Sequence, residues 1–130
     1  MASYCFDGSM TGRLSCVFRA FEFKEFNVIV TANPQAQTGL FDEFIHVASN
    51  DQHGQRVWQG LKQKVSSSSL RAFYYTFLSE QEAAFQTLFD FAVYVFQNQR
   101  PVDKDYGHAA VIGMSQWAKQ VGREKHRMEA

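Results

Sequence analysis

The sequence predicts an α+β fold: a small N-terminal sheet of about three strands, packed by about five helices and helical over most of its length. Three observations carry this reading. β-branched runs cluster in the first fifty or so residues, whereas beyond them apolar side chains recur every three or four positions. The chain has 130 residues, 45% apolar and 20% charged, so one domain with a real core is expected over residues 1–130. Two or three antiparallel strands alone would be marginal, so the helices must cover them.

The elements follow in order. Residues 3–6 form a short β-prone run, stopped by Asp7-Gly8. Ser9 can cap a helix whose apolar face is Leu14, Val17, Phe18 and Phe21. The pattern breaks at Asn27, and Val28-Ile29-Val30-Thr31 reads as a strand. Residues 33–39 read as a polar loop, and Phe44 to Ala48 as a third strand. Ser49-Asn50-Asp51-Gln52 has capping-box spacing and opens a helix with Val57, Trp58, Leu61 and Val65 on one face. Ser66 to Ser69 is a break, followed by the stripe Leu70, Phe73, Tyr74 and Phe77. Ser79-Glu80-Gln81-Glu82 reads as a second capping box, opening a helix that carries Phe85, Leu88, Phe89, Ala92 and Phe96. Phe91, Val93, Tyr94 and Val95 fill its other faces, so this helix is expected at the centre. Pro101 ends it, and residues 106–130 form the last helix, with Val111, Met114, Trp117 and Val121 as its face.

Composition excludes several classes. With 13 basic and 13 acidic residues, a strongly basic DNA-coating protein is ruled out. Thirteen Phe at helical spacing read as core, not as a base-stacking platform. Cys5 and Cys16 are too few for a disulfide scaffold and fit buried thiols in a reducing cytoplasm. The N-terminus lacks the basic and apolar regions of a signal peptide. The longest apolar run, residues 91–96, is far too short for a membrane helix.

Zero net charge hides an uneven distribution. Residues 1–60 carry four basic and six acidic side chains, net −2; residues 61–130 carry nine and seven, net +2. Between Gln52 and Ser79 there is no acidic residue, but Arg56, Lys62, Lys64, Arg71, Trp58 and four serines. Cations with short hydroxyl side chains and available backbone N–H groups are what a phosphate backbone requires. The alternative is a solvated helix face joined to a flexible loop. The C-terminal segment is also basic, with Lys119, Arg123, Lys125, His126 and Arg127 against Glu124 and Glu129. Arg123 and Arg127 stand one helical turn apart, although Glu124 and Arg127 could equally form a surface pair.

Other chemistry has little support. His46, His53, His108 and His126 have no metal-ligand spacing, and no phosphate-cradling glycine loop or nucleophile elbow occurs, so no metal and no cofactor are expected. Asp7, at a strand-to-helix turn, is a candidate catalytic carboxylate; more often such an Asp helps cap the helix.

Several motifs fall in a recognisable order: Asp7-Gly8-Ser9-x-x-Gly12 after the first strand, Arg56-Val57-x-x-Gly60-Leu61 on a helix, Phe77-Leu78-Ser79-Glu80, and Val121-x-x-Glu124-x-His126-Arg127-Met128 at the end. In these the chain resembles the N-terminal domain of a bacterial family of DNA-metabolism or DNA-repair proteins built on a domain of unknown function. Members of that family occur beside a radical-SAM protein thought to act on DNA, and some are fused to a uracil-DNA-glycosylase-like domain. The resemblance spans almost the whole chain and supplies context but no reaction. Met10 departs from it, standing where an aromatic residue is common. The family's His-Arg motif runs into a Gly-Phe-x-Arg-Phe-like segment and a further domain, whereas here the chain stops at Glu129-Ala130, which favours an excised part of a longer protein.

The leading expectation is a non-enzymatic cytoplasmic module that binds nucleic acid, or a radical-SAM or glycosylase-like partner enzyme, through residues 56–71 and 119–127. The nucleic-acid candidates are Arg56, Lys62, Lys64, Arg71, Arg123 and Arg127. Two alternatives stand beside it. One is an enzyme, or half of one, acting on a nucleotide or damaged base with Asp7, Glu124 and His126 as acid–base groups. The other is a structural adaptor, marked by an exposed apolar patch, for example around Trp117.

Overall fold

A central strand, β1 (Ala2–Cys5), pairs on one side with β2 (Val28–Thr31) and on the other with β3 (Glu43–His46). This is a computed structural model; it describes residues 2–33 and 43–129, with side chains through residue 123. The helices are α1 (Met10–Phe23), α2 (Asp51–Lys64), α3 (Ser67–Leu78), α4 (Glu82–Gln97) and α5 (Ala109–Glu129). The expected α+β class, with a small N-terminal sheet and five helices, is therefore observed. The loop read at 33–39 falls, beyond Asn33, outside the described residues.

The strands run parallel, not antiparallel. The reason lies in the connection: α1 occupies the segment between β1 and β2, and a helical return re-enters the sheet from the same end. Register sets Ala2 beside Val28 and Glu43, and Cys5 beside Thr31 and His46. A central parallel strand is normally covered on both faces, and Ser3, Tyr4 and Cys5 are all buried. The edge strand β2 alternates instead, with Val28 and Val30 buried and Ile29 exposed.

The chain groups into two compact units, Met1–Gly60 and Leu61–Ala130. In the first, Ser9 caps α1 as expected, its Oγ accepting from the Gly12 amide at 2.9 Å. Leu14, Cys16, Val17 and Ala20 are buried, and the Arg19 guanidinium lies 5.6 Å from the Tyr4 ring centroid. Thus α1 packs against β1. The helix ends at Lys24, whose left-handed φ of 54° turns the chain so that the Glu25 amide returns to the Ala20 carbonyl at 2.8 Å.

In the second unit, α4 is central, as its all-round apolar pattern predicts. Leu88, Phe89, Phe91 and Ala92 are completely enclosed, and each buried large apolar side chain contributes about 1.5–3 kcal/mol. Helices α3 and α5 pack on α4 and on each other. The buried Thr76 hydroxyl ties α3 to α5, lying 3.2 Å from the Met114 carbonyl. Val111 and Met114 are buried on α5, and Trp117 and Val121 are half-buried.

Three local readings need correction. The cap of α2 is Asn50, whose Oδ1 accepts from the His53 amide at 3.0 Å; Ser49 instead donates to Asp7 at 2.7 Å. The serine tetrad is not a loop. Ser66 caps α3 and Ser67 to Ser69 form its first turn. Ser79 does not open α4. It closes α3, with its hydroxyl donating to the Thr76 carbonyl at 2.8 Å. Glu80 takes a left-handed φ of 57° in the tight turn, and Gln81 precedes α4 without a side-chain cap. The capping-box spacing is present at 79–82, but the turn is too short to leave that serine for the next helix.

Candidate functional site

Two places gather chemistry-bearing side chains. The first lies in the N-terminal unit, where β1 runs into α1. Gly8 holds φ +86° in the turn, a conformation that only glycine adopts without strain. This brings Asp7 back over the start of α1, where Oδ1 accepts from the Ser9 amide at 2.9 Å and from the Ser9 hydroxyl. Oδ2 accepts from the Ser49 hydroxyl at 2.7 Å. Gly12 is required beneath it: a Cβ there would collide with Asp7 Oδ1 and meet Ser49 Oγ at 3.0 Å and Phe6 Cδ2 at 3.1 Å. Bonds from the Ser9 hydroxyl, the Ser49 hydroxyl and the Ser9 amide hold the Asp7 carboxyl below the usual carboxylate range. A carboxylate so held is a poor proton donor at neutral pH, and its geometry is that of a helix-capping group.

The second place lies in the C-terminal unit. A groove of about 300 Å³ runs between α3 and α5, beside the turn at 103–106. Its floor is Ala72, Val111, Met114 and Ala118. Around it stand three cations, Arg71 on α3, Lys104 on the turn and Lys119 on α5, with Ser68 and Ser115 among them. Tyr75 and Tyr106 complete the walls. Arg71, Lys104 and Lys119 are all exposed.

Asp103 also borders the groove, but its charge is turned inward. Its Oδ2 accepts from the Ser66 amide at 3.0 Å, the Ser66 hydroxyl at 3.0 Å and the Ser69 hydroxyl at 2.7 Å. Burial pushes this carboxyl up, but the bonds from Ser69 and Ser66 outweigh burial and leave it below the usual range. Asp103 therefore completes the N-terminus of α3, where a negative charge is favoured. Asp105 is likewise engaged. It accepts from the Tyr94 hydroxyl and, through Oδ1, from the Gly107 amide at 3.2 Å. Both acidic neighbours thus have partners of their own, and Lys104 lines the groove between them.

The predicted site residues divide accordingly. Arg71 lines the groove. Arg56 and Lys62 are exposed on α2 and are not among the lining residues. Lys64 donates its Nζ to the Asn98 carbonyl at 2.8 Å. Arg123 is exposed on α5, one turn beyond Lys119 and on the same face. Glu124, His126 and Arg127 lie on the α5 backbone, with their side chains outside the described residues. Asp7 belongs to the first unit and those three to the second. Among the described residues, no three His, Cys, Asp or Glu side chains are grouped to hold a metal ion, and no helix is long and apolar enough to cross a membrane.

Lys104 and Tyr106 are among the groove residues that the sequence pattern does not single out. In the sequence Lys104 stands between two acids, and Tyr106 reads as the start of the last helix. A serine run seven or so residues before an aromatic cluster gives no hint that it pairs with an aspartate 34 to 37 positions away. No protein-family model, curated protein or solved structure matches the chain.

Proposed function

We propose that this chain is a non-enzymatic cytoplasmic module that binds nucleic acid through the α3–α5 groove, in the DNA-repair or DNA-metabolism setting that its motifs resemble. One observation carries the reading. Arg71 and Lys119 come from two basic stretches far apart in sequence, and with Lys104 they border one groove edged by serine hydroxyls. Phosphate oxygens are recognised by such a set of cations and short hydroxyl donors. The Asp103 carboxylate at the rim keeps its negative charge and offsets one of the three cations, so the groove stays net positive. Arg123 extends the positive face along α5.

Titration of labelled oligonucleotides at several salt concentrations tests this. Three phosphate contacts predict that log K falls with log[salt] at a slope of about −2 to −3. Changing Arg71 or Lys119 to Gln should each reduce the slope by about one unit, whereas Glu82→Gln, on exposed α4 surface, should leave it unchanged. Binding that ignores salt, or no binding, contradicts the proposal.

A further inference from the structure

We infer that the groove takes single-stranded nucleic acid, with one unstacked base laid on its apolar floor beside Tyr106; this rests on the nucleic-acid reading above. The cations alone would suit any phosphate backbone, but the rest of the groove would not. Its floor is apolar, made by Ala72, Val111, Met114 and Ala118. A duplex keeps its bases stacked inside and presents a polar, convex backbone, which gains nothing from such a floor. An unpaired strand presents free base faces, and these stack on aromatic rings regardless of sequence. The volume, about 300 Å³, lies at the lower end of the roughly 300–1,000 Å³ typical of small-ligand sites, the scale of one base and not of a double helix.

Tyr106 is the most exposed of the large apolar side chains described, at 60%, although it borders an apolar cavity. Its backbone is held in place. The Tyr106 amide donates to the Lys104 carbonyl at 3.0 Å, the Asp105 amide to the Val102 carbonyl at 3.0 Å, and the His108 amide to the Asp105 carbonyl at 3.0 Å. The Asp105 side chain, fixed by Tyr94, braces the same turn. The Tyr94 ring in turn stacks on His108, with centroids 3.7 Å apart. The backbone that presents the ring is thus ordered before binding, which lowers the cost of ordering this turn on a ligand.

Fluorescence anisotropy with the full chain decides the matter, using one labelled oligonucleotide as a single strand, in DNA and in RNA form, and annealed into a duplex. The single strand, in either form, should bind more tightly than the duplex. Tyr106→Ala should weaken single-strand binding roughly 5- to 150-fold, the loss of one base stack, with the salt slope unchanged and Tyr106→Phe close to wild type. Tyr106 is exposed, so neither change touches the core, and an unaltered circular dichroism spectrum confirms folding. Equal or tighter duplex binding, or a Tyr106→Ala variant that binds the strand as wild type does, overturns this inference. If salt-dependent binding through Arg71 and Lys119 persists in that case, the broader nucleic-acid reading stands. Loss of salt-dependent binding to every form overturns both.

Discussion

Asp103 places a negative charge at the rim of a groove otherwise bordered by cations, and its partners explain why. One oxygen collects the Ser66 amide and the Ser66 and Ser69 hydroxyls, so the carboxylate serves the first turn of α3. Because these bonds outweigh burial, its folded value lies below the ordinary one. The stability it contributes is therefore fully present above about pH 4 and is lost as pH falls through the lower folded value. Asp103→Asn should cost about 1–3 kcal/mol near neutral pH, and the two proteins should converge in acid. Urea unfolding at neutral and acidic pH checks this; an equal difference at both would mean that the charge has no part in it. Burial acts differently on Arg13 and Cys16, pushing the guanidinium down to about 10 and the thiol up to about 12. At neutral pH the first stays charged and the second stays protonated, so Cys16 is an unreactive thiol.

At the scale of elements, caps decide where helices begin. Ser66 both accepts from the Ser69 amide and donates to Asp103. Ser66→Ala should cost about 0.5–2 kcal/mol, whereas Ser79→Ala, which loses a bond to a helix-end carbonyl and a long one from the Gln81 amide, should cost less. A thermal-unfolding comparison distinguishes them, and equal losses would contradict the boundary assigned here. The same pair shows what the sequence could and could not say. Period and branching located α1, β2 and α4, since burial of Leu14, Val28 and Phe89 is a local consequence of their spacing. Capping boxes at 49–52 and 79–82 had the right residues in the wrong registers, because Ser49 and Ser79 are taken by Asp7 and the Thr76 carbonyl. The parallel sense of the sheet depends on where the chain returns, not on strand composition. Arg71 stood out in the sequence as a candidate from its acid-free surroundings, and it lines the groove. Lys104 did not, since only the folded chain shows Asp103 and Asp105 turned to other partners.

For the molecule as a whole, neutrality conceals a division. The first sixty residues carry a net charge of −2 and the remaining seventy +2, and the two compact units separate at the same point, after Gly60. The aromatic content divides by role as well: the buried Phe73, Phe85, Phe89 and Phe91 build the core of the second unit, while exposed tyrosines are left for its surface. The central claim is that the second unit engages a nucleic-acid strand through the α3–α5 groove. Its most direct test is an amide chemical-shift titration of the 130-residue chain with a short single-stranded oligonucleotide. The shifts should concentrate on residues 68–75, 103–106 and 111–119 and leave residues 2–33 in place. Shifts confined to the first unit, or none at concentrations that saturate the anisotropy signal, would contradict it.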